Sequence, residues 1–149
     1  MSAFSRMLLV YDGTREARAA LERCSQLSLA LSAPVDVVAI VDTESANAQC
    51  GGLLSDVAFT HIEEHARNAL NDAVSQLADI GIAANGYVKF GRIAEVVTRH
   101  AQSFNPDLIV LGHRARAKRP AWWSERPAHV DLAERLRGST IVTVTLASD

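Results

Sequence analysis

The fold is decided by the stretch MLLVYDGT, Met7–Thr14, in which an apolar run ends in the turn-forming triplet Asp12-Gly13-Thr14. Such a run predicts a short buried strand that turns directly into a helix. Apolar side chains then recur at helical spacing and predict a helix from about Thr14 to Leu31. A strand, a tight turn and a helix in this order are typical of a parallel α/β sheet.

The same alternation continues along the chain. Val35–Val41 is rich in β-branched residues and predicts a strand buried on both faces, and a stripe from Ile62 to Leu77 predicts a long helix that ends near Gly81. Three further strands and two further helices follow: strands at Tyr87–Phe90, Leu108–Gly112 and Ile141–Leu146, and helices at Ile93–Phe104 and Val130–Leu136. We therefore expect one α/β domain over residues 1–149, a Rossmann-like open parallel sheet with helices on both faces.

Composition limits the classes of function. The 149 residues are 48% hydrophobic and 21% charged, with a formal net charge of −2, so a packed core is expected and no global basic field would attract nucleic acid. No apolar run approaches the roughly 18 residues that span a bilayer, and we expect a cytoplasmic protein without a membrane partner. Neither a nucleophile elbow nor a P-loop motif occurs, so an enzyme is less expected than a binding protein.

Five other side chains have metal-binding or reactive chemistry. His61-Ile62-Glu63-Glu64-His65 fits a zinc motif, but we expect both histidines to face outward, away from the ligand crevice, and predict no metal. Cys24 lies on a core stripe, and Cys50 lies in a polar loop before two glycines. His100 is expected to be hydrogen-bonded where its helix meets the sheet.

In parallel sheets of this kind, ligands bind beyond the carboxyl ends of the strands, where the strand order reverses. The positions to inspect are Tyr11–Thr14, Val41–Asp42 and Gly112–Ala115. His113 is the one histidine that this argument places near a ligand, and an exposed turn residue is the alternative.

Four local matches resemble the universal stress protein family. They are Met7–Thr14, Val35–Asp42, Pro106–Gly112, and Leu132–Leu136 leading to Ile141–Val144. The resemblance implies a five-stranded parallel sheet of order 3-2-1-4-5 and a homodimer that pairs the last strands, with contacts through Ile141, Val142, Thr143 and Val144. Independently, the last strand carries no charge and would be an open edge, which proteins usually pair or cover; a terminal segment that covers it is the alternative.

The resemblance also implies a nucleotide site, of which only half is retained. Many family members bind ATP through the pattern G-x-x-G-x9-G-S/T after the fourth strand. Gly112 matches its first position, but Ala115 replaces the second glycine, and Val130-Asp131 stand where Gly-Ser/Thr is expected. A β-branched side chain and a carboxylate would oppose phosphates there. The retained half is Asp12, Gly13, Thr14 and Val41, although the triplet would also serve as a helix start in any such fold.

A basic, tryptophan-containing loop at about residues 113–128 occupies the sequence positions between the first and last parts of that pattern. Residues 113–127 carry a net charge of +4, and the candidate binding side chains are Arg114, Arg116, Lys118, Trp122 and Trp123. These side chains would bind an anion or nucleotide, cover the vacated pocket or dock on a partner protein, or simply lie in solvent. The three alternatives stay open.

These observations predict a stress-response domain that acts by binding, without a cofactor, through a degenerate nucleotide site. The alternative is a member that binds ATP or AMP with Mg²⁺ through the basic residues 114–119 and hydrolyses ATP weakly.

Overall fold

Short apolar runs form the strands, and amphipathic stretches between them form the helices. The computed structural model describes residues 4–43, 47, 51–53, 55–114 and 127–146. The strands are β1 (Met7–Val10), β2 (Val35–Val41), β3 (Ala84–Phe90), β4 (Leu108–Arg114) and β5 (Thr140–Leu146). The helices are α1 (Arg15–Leu31), α2 (Asp56–Asp79), α3 (Ile93–Phe104) and α4 (Ala128–Arg135).

All pairings within the sheet are parallel, in the order β3-β2-β1-β4-β5, which confirms the predicted topology. β3 begins at Ala84, three residues before the predicted start, because it pairs with β2 along its whole length. The prediction that Gly112 ends the fourth strand is wrong. β4 continues to Arg114 because β5 pairs with it as far as Leu146.

Helix α2 begins at Asp56, well before the first apolar residue of its predicted stripe. The Ser55 side chain caps the helix by accepting a hydrogen bond from the Ala58 amide at 3.1 Å. The first two turns lie largely in solvent, so they have no buried stripe by which a sequence pattern would reveal them.

The core consists of two layers, one on each face of the sheet. Helices α1 and α2 pack on one face against Leu9, Val37 and Val110, and α3 and α4 pack on the other against Leu8, Val38 and Ile109. All six strand side chains are fully buried, and each stabilises the fold by about 1.5–3 kcal/mol relative to an exposed side chain.

One polar pair interrupts the second layer. His100 on α3 lies 2.8 Å, Nε2 to Oδ2, from Asp36 on β2, and the two residues are only 8% and 2% exposed. The His100 ring also contacts Tyr87 and Phe104, with ring centroids 4.9 and 5.8 Å away. The expectation of a hydrogen-bonded histidine between helix and sheet is confirmed, and its partner is an aspartate within a strand.

Among the described residues, no helix is both long enough and apolar enough to cross a membrane.

Candidate functional site

The carboxyl ends of β1, β2 and β4 bring together most of the described site residues predicted from sequence. Asp12, Gly13 and Thr14 follow β1, Val41 ends β2, and His113 lies one residue before the end of β4. Helix α4 begins at the same edge, so Val130 and Asp131 belong to this region as well. The edge of the sheet therefore presents a turn, an apolar strand end and a helix start.

Asp12, Gly13 and Thr14 form a hydrogen-bonded turn. Asp12 Oδ1 accepts hydrogen bonds from the Thr14 amide at 3.0 Å and from the Thr14 hydroxyl at 2.6 Å. Thr14 Oγ1 in turn accepts from the Ala17 amide at 3.2 Å and caps α1. Gly13 has a φ of +80°, which a residue with a Cβ adopts only under strain. The triplet thus initiates the helix. Its two hydrogen bonds from Thr14 hold the exposed Asp12 carboxylate in place.

Helix α2 lies against this turn and corrects one prediction. A Cβ on Gly13 would lie 3.3 Å from Ala69 Cβ and 3.9 Å from His65 Nε2. His65 therefore lies over the β1–α1 turn, at the candidate site, whereas the sequence placed it away from the ligand crevice. The helical phase alone could not show this, because close packing of Ala69 on Gly13 sets the position of α2. His61 and His65 are both exposed, as expected.

Val41 is buried at the end of β2, and an aromatic pair that sequence reasoning missed lies beside it. Val41 pairs in register with Phe90, and its carbonyl accepts a hydrogen bond from the Gly91 amide at 3.0 Å. Phe90 is 47% exposed and stacks on Phe59, with ring centroids 6.4 Å apart and planes 5° apart. An apolar surface at this strand end suits a flat ring. Only 5% of the residues are aromatic, so two phenylalanines close to predicted element ends could have drawn attention to this pair.

Gly112 is fixed by packing. A Cβ at this position would overlap the main-chain carbonyl of Glu16 in the first turn of α1. Gly112 has no positive φ, so close approach of the two backbones, rather than a special turn, explains the glycine. The first glycine of the phosphate-loop pattern therefore has a structural role here whether or not a phosphate is bound.

His113 contacts a second histidine, which the sequence analysis did not single out. His113 on β4 and His129 on α4 have ring centroids 4.8 Å apart and ring planes at 71°. Both rings are half-buried. The position of His129, two residues after Pro127 at a helix start, was its signal in the sequence.

Val130 and Asp131 occupy the first turn of α4, where the family pattern has Gly-Ser/Thr. Their amides both reach the Pro127 carbonyl, at 3.0 and 3.3 Å, and Pro127 provides no side-chain cap. Two amide groups precede them, those of Ala128 and His129, and the first amides of a helix have no partner within it. The helix start thus carries a β-branched side chain where the pattern has a glycine, and a carboxylate where the pattern has a hydroxyl.

Several predicted residues lie outside the described residues. These are Ala115, Arg116, Lys118, Trp122 and Trp123 of the basic loop, and Cys50. Arg114 is described as the half-exposed last residue of β4.

Two buried groups near the first layer have raised pKa values. Burial raises the pKa of Tyr11 above 10; Arg18 opposes this rise, and Asp72 and Asp12 add to it. Burial also raises the pKa of the Cys24 thiol to about 12. Tyr11 is therefore a neutral phenol, and Cys24 is a core residue, as the sequence indicated. Within the described ranges, no group of three or more metal-ligating side chains occurs.

The predicted dimer strand forms an edge of the sheet. Ile141 packs in the layer with α3 and α4, while Val142 and Val144 pack in the layer with α1 and α2. Thr143 lies opposite Leu111 of β4. Among the described strands, β5 is paired on one side only.

Comparisons with known proteins agree with the observed fold. The sequence matches the model of the Universal stress protein family over residues 3–145. The comparison with curated protein sequences finds no significant match.

Solved structures similar to this chain include universal stress proteins, two of them in complex with nucleotides. The universal stress protein UspA from Lactobacillus plantarum has a TM-score of 0.72 at 15% identity, covering 97% of this chain and 99% of its own. A universal stress protein in complex with cAMP has a TM-score of 0.67 at 16% identity, covering 97% and 98%. The universal stress protein from Archaeoglobus fulgidus in complex with dAMP has a TM-score of 0.64 at 15% identity, covering 97% and 99%.

The solved structures share the fold at low sequence identity. The family model spans nearly the whole chain and includes all four helices and all but the last residue of the five strands. The chain belongs to the universal stress protein family.

Proposed function

We propose that this protein is a stress-response domain that acts by binding, and that it does not hold ATP through the backbone cradle used by many family members. The contact between His113 and His129 is the observation that carries the proposal. It links the end of β4 to the start of α4, the two ends of the stretch where the family pattern has its glycines. Side chains occupy a region in which phosphates need exposed amides.

The charge of α4 supports the same proposal. Asp131 lies in the first turn of the helix, and a carboxylate there repels a triphosphate unless a cation intervenes. Val130 cannot reproduce the close backbone approach that a glycine allows. A nucleotide bound here would have fewer phosphate contacts than the family pattern provides.

A second candidate function is binding of an adenine nucleotide, ATP or AMP with Mg²⁺. The structurally similar proteins that are complexed with cAMP and dAMP favour it, because each of these ligands carries a single phosphate. Val41 and the stacked Phe59–Phe90 pair provide an apolar edge near an anchored Asp12. Basic side chains of residues 114–119 would then take the place of the missing amides.

Isothermal titration with ATP and with AMP in the presence of Mg²⁺ tests the two candidates. The matched variant is Ala115→Gly/Val130→Gly/Asp131→Ser, which rebuilds the family pattern, and mass analysis of the purified protein detects nucleotide carried over from expression. We expect no ATP binding by the wild type and a gain of ATP binding by the variant. Micromolar binding of ATP by the wild type would overturn the first proposal and support the second.

We also propose that the protein is a cytoplasmic homodimer that pairs β5 with β5. The uncharged open edge of β5 supports this, because proteins usually pair, cover or charge such an edge. Replacement of the exposed Thr145 by lysine places like charges at a shared edge, and sedimentation velocity should then show monomers. Serine at the same position is the control and should leave the dimer intact. A wild type that is monomeric at every concentration contradicts the proposal.

A further inference from the structure

Strand β3 forms the edge of the sheet opposite β5. Among the described strands it pairs only with β2, in continuous register along its seven residues. The Ala83 carbonyl and the Gly91 amide, which flank the strand, both hydrogen-bond to β2 at 3.0 Å. Because main-chain groups alternate in direction along a strand, the odd-numbered residues face β2. The amides and carbonyls that point to the open side are those of Ala84, Gly86, Val88 and Phe90.

This row of main-chain groups is a template for a further strand. Proteins usually shorten, twist, charge or cover such an edge. β3 contains no proline, and Lys89 is its only charged residue. Within the described part of the chain, none of the outward-facing groups has a hydrogen-bond partner. The edge therefore has the capacity to pair with an extended peptide.

Aromatic side chains flank the edge on both faces of the sheet. Tyr87 is 37% exposed and Phe90 is 47% exposed, although large apolar side chains are mostly buried in folded proteins. On one face Phe90 stacks on Phe59 of α2. On the other face the rings of Tyr87, His100 and Phe104 form a row, in which each contacts the next. A strand added beside β3 would contact aromatic surface on both of its faces.

Positive charges lie at both ends of the aromatic row. Lys89 Nζ lies 5.5 Å from the Tyr87 ring centroid, and the Arg6 guanidinium lies 5.7 Å from the Phe104 ring centroid. The exposed Arg99 directly precedes the histidine of the row. A partner with carboxylates on this face would complement these charges.

Two carboxylates near the row are already engaged within the fold. Asp36 is buried and lies 2.8 Å from His100 Nε2, and Asp107 accepts hydrogen bonds from the segment before β1. Glu95 is exposed one turn before Arg99. Three cations thus stand against one exposed carboxylate, and the exposed charge beside the row is positive.

Of the partners that could cover this edge, an acidic peptide fits best. A second copy of the chain would bring the same Lys89 and no carboxylate on its β3. A nucleic acid would supply negative charge and stack on the rings, but it does not pair with a row of main-chain amides and carbonyls. An extended acidic peptide uses the edge, the rings and the cations together.

We infer that β3 binds an extended acidic segment of a partner protein, which adds to the sheet as a further strand. Side chains alternate along an extended segment, so its acidic residues lie on the face of Tyr87 and Lys89 and its apolar residues on the face of Phe90. The inference goes beyond the proposed function and does not depend on it, because β3 is neither the phosphate region nor the proposed dimer strand.

A blocked peptide of four glutamate–valine repeats, (Glu-Val)₄, has this alternation and is the probe. In fluorescence anisotropy at low ionic strength, we expect it to bind the wild type with a Kd of about 100 μM or below. The peptide (Lys-Val)₄ has the same alternation with opposite charge and should bind at least about tenfold more weakly. No binding of (Glu-Val)₄ at about 1 mM, or equal binding of the two peptides, would overturn the inference.

N-methylation of the probe tests pairing with the main chain. One form is methylated at the glutamate amides and the other at the valine amides. Only one of these sets faces β3, so one form should lose binding at least about tenfold and the other should retain it. Two forms that bind as tightly as the unmethylated probe would mean that charge alone holds the peptide, and the inference would fail.

A charge reversal on β3 locates the site. Lys89→Glu should weaken binding of (Glu-Val)₄ at least about tenfold and strengthen that of (Lys-Val)₄. Arg23→Glu is the matched control, since it makes the same charge change at an exposed position of α1, on the other face of the sheet. It should leave both affinities unchanged, and equal effects of the two variants would indicate diffuse attraction and contradict the inference.

Hydrogen exchange followed by NMR reads out the edge in the wild type, without any variant. Saturating (Glu-Val)₄ should slow exchange of the Gly86 and Val88 amides at least about tenfold and leave the amides of β5 unchanged. Protection of β5 in place of β3 would overturn the inference. So would protection of β3 that appears without peptide and rises with protein concentration, which would identify a second copy as the occupant, or an oligothymidylate that binds through Lys89 more tightly than the peptide.

Discussion

Gly112 is held at a point where β4 passes close over the first turn of α1. Gly112→Ala should lower the free energy of unfolding by about 3 kcal/mol, because the new Cβ overlaps the Glu16 carbonyl and the backbone must shift. Gly86→Ala is the matched control: it too is a strand glycine without a positive φ, and its neighbours at 3.0 Å are the side chains of Leu70 and Val74, which can move. We expect it to cost about 1 kcal/mol. Urea denaturation measures both, and equal losses would contradict this account of Gly112.

The Asp36–His100 pair is a second residue-scale feature with a measurable cost. His100→Leu should destabilise the protein by about 3 kcal/mol, because it leaves the Asp36 carboxylate buried without its partner. The double variant Asp36→Val/His100→Leu should recover most of this loss and come within about 1 kcal/mol of the wild type. Urea denaturation of both variants tests the prediction. A double variant no more stable than the single one would show that the histidine stabilises the fold by other contacts.

At the scale of elements, Asp107 ties the segment before β1 to the segment before β4. Its Oδ2 accepts hydrogen bonds from the Ser5 amide at 2.7 Å, the Ser5 hydroxyl at 2.9 Å and the Arg6 amide at 3.0 Å. These bonds, chiefly the one from the Ser5 amide, lower the pKa of Asp107 below 3.8. Because the pKa is lower in the folded state, the stabilisation is complete above the unfolded value and disappears as the pH falls through the folded value.

Asp107→Asn should therefore lower Tm at neutral pH, and the difference from the wild type should shrink below about pH 4. Thermal unfolding followed by circular dichroism over a series of pH values tests this. A difference that stays constant down to about pH 2 would mean that the charge of the carboxylate plays no part.

Sequence patterns predicted elements where burial is periodic and missed them where it is not. The five strands and the sheet order followed from apolar runs and from the family resemblance. The start of β3 was missed because Asn85 and Gly86 are exposed in an edge strand, and the start of α2 was missed because its first turns face solvent. The position of the carboxyl ends of β1 and β2 at one edge of the sheet was predicted correctly. The approach of His129 to His113 and of His65 to Gly13 depends on how helices dock, which no local pattern encodes.

At the scale of the whole molecule, Cys24 reports on opening of the core. Its side chain is fully buried between α1 and the sheet, and its pKa of about 12 leaves very little thiolate at neutral pH. In a Cys50→Ser background, a thiol reagent should label the native protein at least about a thousandfold more slowly than it labels free cysteine. The rate should rise steeply with urea as the core opens. Rapid and complete labelling without urea would show that α1 detaches from the sheet on its own.

The packing of Gly112 on α1 also affects how related sequences are interpreted. A glycine required by a backbone contact persists under selection for stability, so it survives in lineages that have abandoned the ligand. A glycine at this position therefore does not by itself indicate that a family member binds a nucleotide. Under the proposed function, the informative markers are instead the positions corresponding to Ala115, Val130 and Asp131, which the phosphate-loop pattern assigns to the ligand and for which no such backbone contact is described.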